Sequence, residues 1–265
     1  MKRRYLLSFL SSLLMTLMIA FGFNATTHLP ANSQSTTLLV GAAASLKDAL
    51  EELNPRFESA NPIIRVRYNF AASGTIQQQI TQGAPIDVFI SAATRQMDAL
   101  ESKDLLVTGT RRNILTNSLA LVASTKSLLK ISDFQQLTNP NIKRIAVGEP
   151  RSVPAGQYAE EVFKNLGILD RLRPKFVFSN SVRNVLASVE SGNADAGIVY
   201  VTDAKATKQI ALIALASPRL HSPIVYPMAV VAATQNQQAA RNYARFLTGR
   251  EAKIVFKRYG FGLAE

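Results

Sequence analysis

The chain has 265 residues, 47% of them hydrophobic, with 30 Lys and Arg against 18 Asp and Glu, two histidines and no cysteine. The missing cysteine excludes disulfides, thiolate metal sites and lipid attachment through an N-terminal Cys, so stability rests on a packed core. The formal charge is +12; setting aside Lys2, Arg3 and Arg4 leaves 27 basic against 18 acidic residues, or +9, dispersed along the chain, a pattern of a basic solvated surface and not of a nucleic-acid face.

Met1-Lys2-Arg3-Arg4 precedes Leu6 to Phe23, an uncharged stretch rich in Leu, Met and Phe. This is the pattern of a secretory signal, and residues 1–31 are expected to form a signal peptide and leader. The cleavage site is open, since neither Phe23-Asn24-Ala25 nor Leu29-Pro30-Ala31 has two small residues in the usual positions; a retained N-terminal anchor is the alternative, because the apolar stretch approaches membrane-spanning length. No second run of that length follows, so the mature protein is expected to be soluble. About 230 mature residues suffice for one or two domains.

From Thr37 onward strand and helix patterns alternate. The spacing predicts a strand to Ala43, a helix to Ala60, a strand Ile63 to Phe70, a helix to Gln82, a strand Ile86 to Ser91 and a helix Thr94 to Glu101. The apolar run Ile114 to Ala123 then reads as one long strand that carries the chain to a second lobe. There the pattern resumes with a strand Arg144 to Gly148, a helix Ala155 to Leu166, a strand Lys175 to Phe178, a helix Val182 to Glu190 and a strand Ala194 to Tyr200. A second bridging strand, Ile224 to Val231, precedes helices Gln235 to Leu247 and Glu251 to Tyr259. The expected architecture is α/β: two lobes, each a mostly parallel sheet flanked by helices, joined by two crossover strands around a cleft. Residues 37–116 and 226–265 form the discontinuous first lobe and 117–225 the second.

Two segments repeat one device, an apolar run that stops at a serine: Val40-Gly41-Ala42-Ala43-Ala44-Ser45 and Tyr68-Asn69-Phe70-Ala71-Ala72-Ser73. Apolar residues recur at helical spacing after each, which predicts that Ser45 and Ser73 are N-caps. A helix start offers unpaired N–H groups and the positive end of its dipole, so two such ends on one cleft suit an anion. In the second lobe Pro154 precedes the Ala155 amide at a helix start, and the segment 179–181 leads into a helix beginning at Val182. Only a backbone amide acts at Ala155 and Val182. Tyr200 closes its strand and is placed to aim a hydroxyl into the cleft, with Arg151 and Arg183 nearby.

Catalytic signatures are missing: no G-x-S-x-G, G-x-G-x-x-G, P-loop or H-E-x-x-H occurs. The histidines are His28, in or near the leader, and His221, in a Ser-Pro-rich loop. Asp48, Asp87, Glu149 and Asp195 each have a plain role at a helix start, strand edge or turn. Capture of a ligand is expected, not a reaction.

Taken together, the ordered markers Ala44-Ser45-Leu46, Ala72-Ser73-Gly74-Thr75, Gly83 to Ala92, Ala146 to Pro150, Val153-Pro154-Ala155-Gly156, Gly197 to Ala204 and Phe256 to Phe261 resemble the molybdate-binding proteins of bacterial ABC uptake systems, with their type II periplasmic-binding fold. The resemblance covers about Leu38 to Gly262; Glu149 departs from it, standing where an aspartate is common. It implies oxyanion contacts from Ser45, Ser73 and Tyr200 hydroxyls and from the Ala155 and Val182 amides. Molybdenum is met there only as the oxyanion, without direct metal coordination, and no cofactor beyond a molybdate or tungstate ligand is implied. The implied partner is the membrane permease of an ABC transporter, with an exported, periplasmic location and a monomeric state. Alternatives are a receptor of the same fold for sulfate, phosphate or ferric iron, and a secreted serine-dependent hydrolase using Ser45 or Ser73.

Overall fold

Apolar runs bounded by Gly, Ser and Pro form the strands, and amphipathic stretches between them form the helices. The computed structural model describes residues 35–128 and 130–264; the expected signal peptide and leader at 1–31 lie outside the described residues. The chain opens with β1 (Thr36–Ala43), α1 (Lys47–Ala60), β2 (Ile64–Ala71), α2 (Ser73–Thr81), β3 (Val88–Ile90), α3 (Thr94–Glu101) and β4 (Arg112–Thr116). It continues through β5 (Leu119–Ser124), β6 (Ile145–Gly148), α4 (Pro154–Asn165), α5 (Leu169–Leu172), β7 (Phe176–Ser179), α6 (Val182–Glu190), β8 (Ala196–Tyr200), α7 (Val201–Lys205) and β9 (Ile210–Leu215). It returns with β10 (Val225–Val230), α8 (Gln237–Leu247), α9 (Arg250–Tyr259) and β11 (Gly262–Leu263).

Two sheets result, ordered β11-β4-β10-β3-β1-β2 and β7-β6-β8-β5-β9. The run expected as a single strand from Ile114 to Ala123 breaks at Asn117 and Ser118, so that β4 and β5 lie in different sheets. The chain passes back between β9 and β10, and β10 belongs wholly to the first sheet.

Both sheets are mixed, where mostly parallel ones were expected. β1 runs parallel to β2 and β3, and β6 parallel to β7 and β8. β10 is antiparallel to β3 and β4, β11 to β4, and β5 to β8 and β9. The reason lies in the crossovers. A strand that enters from the other lobe starts at the cleft and runs against strands such as β8, which end there; Leu119 accordingly faces Tyr200 across the β5–β8 pair.

Leu38, Val40, Ala42, Val88 and Ile90 of the first sheet and Leu121, Val122, Ile145 and Ile198 of the second are buried, as strands covered on both faces must be. The C-terminal helices fold back on the first lobe. Phe57 of α1 meets Tyr243 of α8 edge-on at 5.0 Å, and Tyr259 of α9 donates to Glu52 at 3.1 Å. No helix among the described residues is long and apolar enough to cross a membrane.

One close approach fixes where α4 starts. A Cβ on Gly156 would lie 2.0 Å from the Gly148 carbonyl oxygen, so the end of β6 and the first turn of α4 touch backbone to backbone. Gly156→Ala is expected to force them apart and to lower the unfolding free energy by about 2 kcal/mol, read from urea denaturation; an unchanged midpoint would contradict this packing.

Candidate functional site

The structure brings Ser45, Ser73, Ala155, Val182 and Tyr200 together on the wall of one cavity. The rest of the wall is Ala43, Ala44, Ala71, Ala72, Ala92, Val153 and Pro154. None of these described lining residues is charged. Ser45, Ser73, Ala155, Val182 and Tyr200 are each at most 4% exposed, so the residues that meet at the cavity are buried.

Neither serine caps a helix as expected. Ser45 lies inside a single 3-10 turn, Ala44–Leu46, between β1 and α1, and Ser73 is the first residue of α2 with Ala72 before it. Their hydroxyls are engaged elsewhere. Ser73 Oγ accepts from the Ala92 N–H at 2.9 Å, and Ser45 Oγ lies 2.9 Å from Tyr226 Oη. The Ala92 amide can only donate, so the Ser73 hydroxyl accepts there and its proton is not spent on that contact.

In the second lobe, Val153 is extended and Pro154 occupies the first turn of α4, where its missing N–H costs nothing. The Ala155 amide that follows has no intrahelical carbonyl to reach. At α6 Ser181 is a true cap, its Oγ accepting from Asn184 N at 3.2 Å, and Val182 is the first helical residue. Three helix N-termini, those of α2, α4 and α6, thus meet the cavity, and their dipoles make it favourable for negative charge without a cation.

Tyr200 ends β8, and its N–H donates to Asp203 Oδ2 at 3.3 Å. Its hydroxyl is buried and has no hydrogen-bond partner among the described residues. Burial raises the phenol well above its ordinary pKa, so the group stays protonated and available as a donor.

Two contacts join the lobes beside this cavity. The Gly74 N–H donates to the Ser152 carbonyl at 2.9 Å, and a Cβ on Gly74 would stand 2.6 Å from that oxygen. Arg183 of α6 reaches Asp48 of α1 at 2.6 Å and pairs with the buried Asp203 at 2.9 Å. Arg183 therefore serves the closure, and Arg151 turns outward to Glu149 at 3.1 Å; neither lines the cavity. His221 stacks edge-on with Tyr158 and its Nδ1 lies 2.8 Å from the Ser222 carbonyl, away from the cavity lining. Asp87 and Asp195 hold backbone amides of Leu39, Lys143 and Arg144.

Sequence reading missed Gly74, Asp203 and Tyr226. Gly74 and Asp203 stand within the quoted markers, but the carbonyl of Ser152 that Gly74 meets and the Arg183 that Asp203 pairs with lie at least 20 residues away. For Asp203 the sole available hint was its position three residues after Tyr200, the spacing of a carboxylate that reaches back to a helix start.

Burial raises Asp203 to about 6, against the pull of Arg183 and the Tyr200 N–H. The folded state therefore holds this proton more tightly than the unfolded chain, where the carboxyl titrates near 3.8. Its contribution to stability is complete below the unfolded value and lost as the pH rises through the folded one. Compared with Asp203→Asn, which cannot titrate, the wild type is expected to lose on the order of 2 kcal/mol between about pH 4 and about pH 7. Urea titrations of both proteins across that window check it, and a constant difference would refute it.

Comparison with known proteins places this geometry in a family. The model of the bacterial extracellular solute-binding proteins matches residues 38–262. The molybdate-binding protein ModA of Escherichia coli is 40% identical over 228 residues, covering 84% of this chain and 88% of that protein. ModA of Haemophilus influenzae is 37% identical over 230 residues, covering 86% and 90% respectively. The structure of the Azotobacter vinelandii periplasmic molybdate-binding protein superposes with a TM-score of 0.77 at 26% identity, covering 86% of this chain and all of the other. The chain belongs to the bacterial extracellular solute-binding protein family and groups within it with the ModA proteins.

Proposed function

We propose that this protein captures molybdate or tungstate outside the cytoplasm, encloses it between its lobes and delivers it to the membrane permease of an ABC transporter. One observation carries the reading: Ser45, Ser73, Ala155, Val182 and Tyr200, buried and drawn from both lobes, line one cavity with no charged residue among its described lining, and the buried Tyr200 hydroxyl has no hydrogen-bond partner among the described residues. The names of the relatives, which specify molybdate, point the same way. In this reading the chain reaches its location through the signal peptide expected at 1–31.

The chemistry is that of a fully deprotonated dianion. Its oxygens only accept, so hydroxyl and amide donors satisfy them, and spreading the charge over neutral dipoles avoids the desolvation cost of burying a counter-ion. A protonated oxyanion brings a hydrogen that meets no acceptor, which is costly when buried. Sulfate passes this test and is separated by size. Ferric iron fits poorly, because no carboxylate or imidazole is among the described lining and Tyr226, whose ring lies 5.9 Å from that of Tyr200, is engaged with Ser45. A serine hydrolase fits poorly because no histidine among the described residues lines the cavity with Ser45 and Ser73.

A thermal-shift panel of molybdate, tungstate, sulfate and phosphate on the mature protein tests the reading. Molybdate at a thousand times its Kd is expected to stabilise by about 4 kcal/mol; a response to sulfate or phosphate alone would overturn it. Ser45→Ala and Ser73→Ala each remove a hydrogen bond to a charged group and are expected to weaken molybdate about 10- to 100-fold by calorimetry, with the fold retained. Gly74→Ala places a methyl against Ser152 and is expected to weaken binding about tenfold by opposing closure while leaving unliganded stability nearly unchanged. Wild-type affinity in Gly74→Ala would show that the Gly74–Ser152 approach is not part of the bound state.

A further inference from the structure

We infer that Tyr226 and Asn117, neither of which lines the cavity, fix Ser45 as a hydrogen-bond donor and thereby help reject oxyanions that carry a proton. The inference rests on the proposed reading of the cavity and adds two positioning residues to it.

A serine hydroxyl donates or accepts with equal ease, so a cavity made of hydroxyls rejects a protonated anion only if something sets their direction. For Ser73 that is the Ala92 amide, which can only donate. For Ser45 the direction comes through a chain of side chains. The Ser118 N–H donates to Asn117 Oδ1 at 2.9 Å, so the amide nitrogen of Asn117 faces the other way. There its two hydrogens go to Thr202 Oγ1 at 2.9 Å and to Tyr226 Oη at 3.2 Å. Tyr226 Oη accepts from Asn117, and its one proton is then directed to Ser45 Oγ at 2.9 Å. Ser45, having accepted from Tyr226, presents its own proton to the cavity it lines.

The surroundings hold this order. Tyr226 is fully buried, and burial raises its phenol so that it remains a donor. Its ring is fixed between Tyr200, at 5.9 Å, and Phe261, which meets it edge-on at 5.5 Å. Phe261 reaches that place because Gly260 ends α9 in the left-handed region at φ 94°. Asn117 lies in the passage from β4 to β5 and Thr202 in the first turn of α7, so the chain of bonds starts where the lobes join.

The test compares molybdate and inorganic phosphate by calorimetry and competition, at a pH where phosphate is the monohydrogen dianion, on the mature protein and its variants. Tyr226→Phe releases the Ser45 hydroxyl to rotate, so that its proton can turn away and a lone pair can face the phosphate proton. The ratio of molybdate to phosphate affinity is expected to fall about tenfold. Asn117→Asp gives a second route: its carboxylate takes the Tyr226 proton, Tyr226 accepts from Ser45, and Ser45 turns a lone pair to the cavity. The added charge acts on both dianions alike, so the ratio is again expected to fall. In a Ser45→Ala background Tyr226→Phe is expected to change the ratio no further, which a merely structural role would not predict.

With molybdate bound by the wild type and weakened by Ser45→Ala, a ratio held within about twofold in both relay variants overturns the relay alone. An equal effect of Tyr226→Phe with and without Ser45, or phosphate binding undetectable in every variant, does the same. A wild type that ignores molybdate, or a Ser45→Ala protein that binds it fully, overturns the reading of the cavity and the relay with it.

Discussion

Donors that face a buried cavity have to be oriented by the protein before any ligand arrives, because a dipole that must turn to meet an anion loses much of its advantage over water. The architecture around the cavity follows from that constraint. Helix starts supply amides whose direction the backbone sets, at Ala155 and Val182, and the hydroxyls of Ser45 and Ser73 are engaged by Tyr226 and by the Ala92 amide. Close glycine contacts hold the elements near enough for these groups to converge. Small side chains, mostly alanine, leave the space itself.

The absence of charge on the described lining has the same origin. A lysine or arginine in that wall would bind an anion more strongly at long range, but it would need its own counter-charge in the unliganded protein. Arg183 illustrates the alternative. It stands one residue from Val182 and is neutralised by Asp48 and Asp203, so its charge joins the lobes instead of meeting the cavity.

What was legible in the sequence was local. The serine-ended strands, the proline before Ala155 and the strand-ending Tyr200 are read from neighbours in the chain, and they place five residues that do converge. The capping role expected of Ser45 and Ser73 failed for a nonlocal reason: Tyr226, 181 residues from Ser45, and Ala92, 19 residues from Ser73, engage the hydroxyls that a cap would have used. The mixed pairing of the sheets escaped for a similar reason. Alternating strand and helix patterns imply parallel strands, whereas the direction of β5 and β10 depends on which lobe the chain has just left. Gly74 reads as a small residue in a helix start until Ser152 is seen against it.

The position of β10 bears on how the molecule is made. It lies between β3 and β4, so without it the first sheet is two separate pieces, β3-β1-β2 and β11-β4. The whole second sheet, by contrast, is contained in residues 119–215 and needs nothing from later in the chain. During synthesis the later-begun lobe can therefore close first, while the earlier one waits with open strand edges for a segment that emerges near the end. Long-range pairing of this kind is slow to form. A chain that completes one half only with its last strands keeps that half's edges open to pairing with other chains until its end has been made.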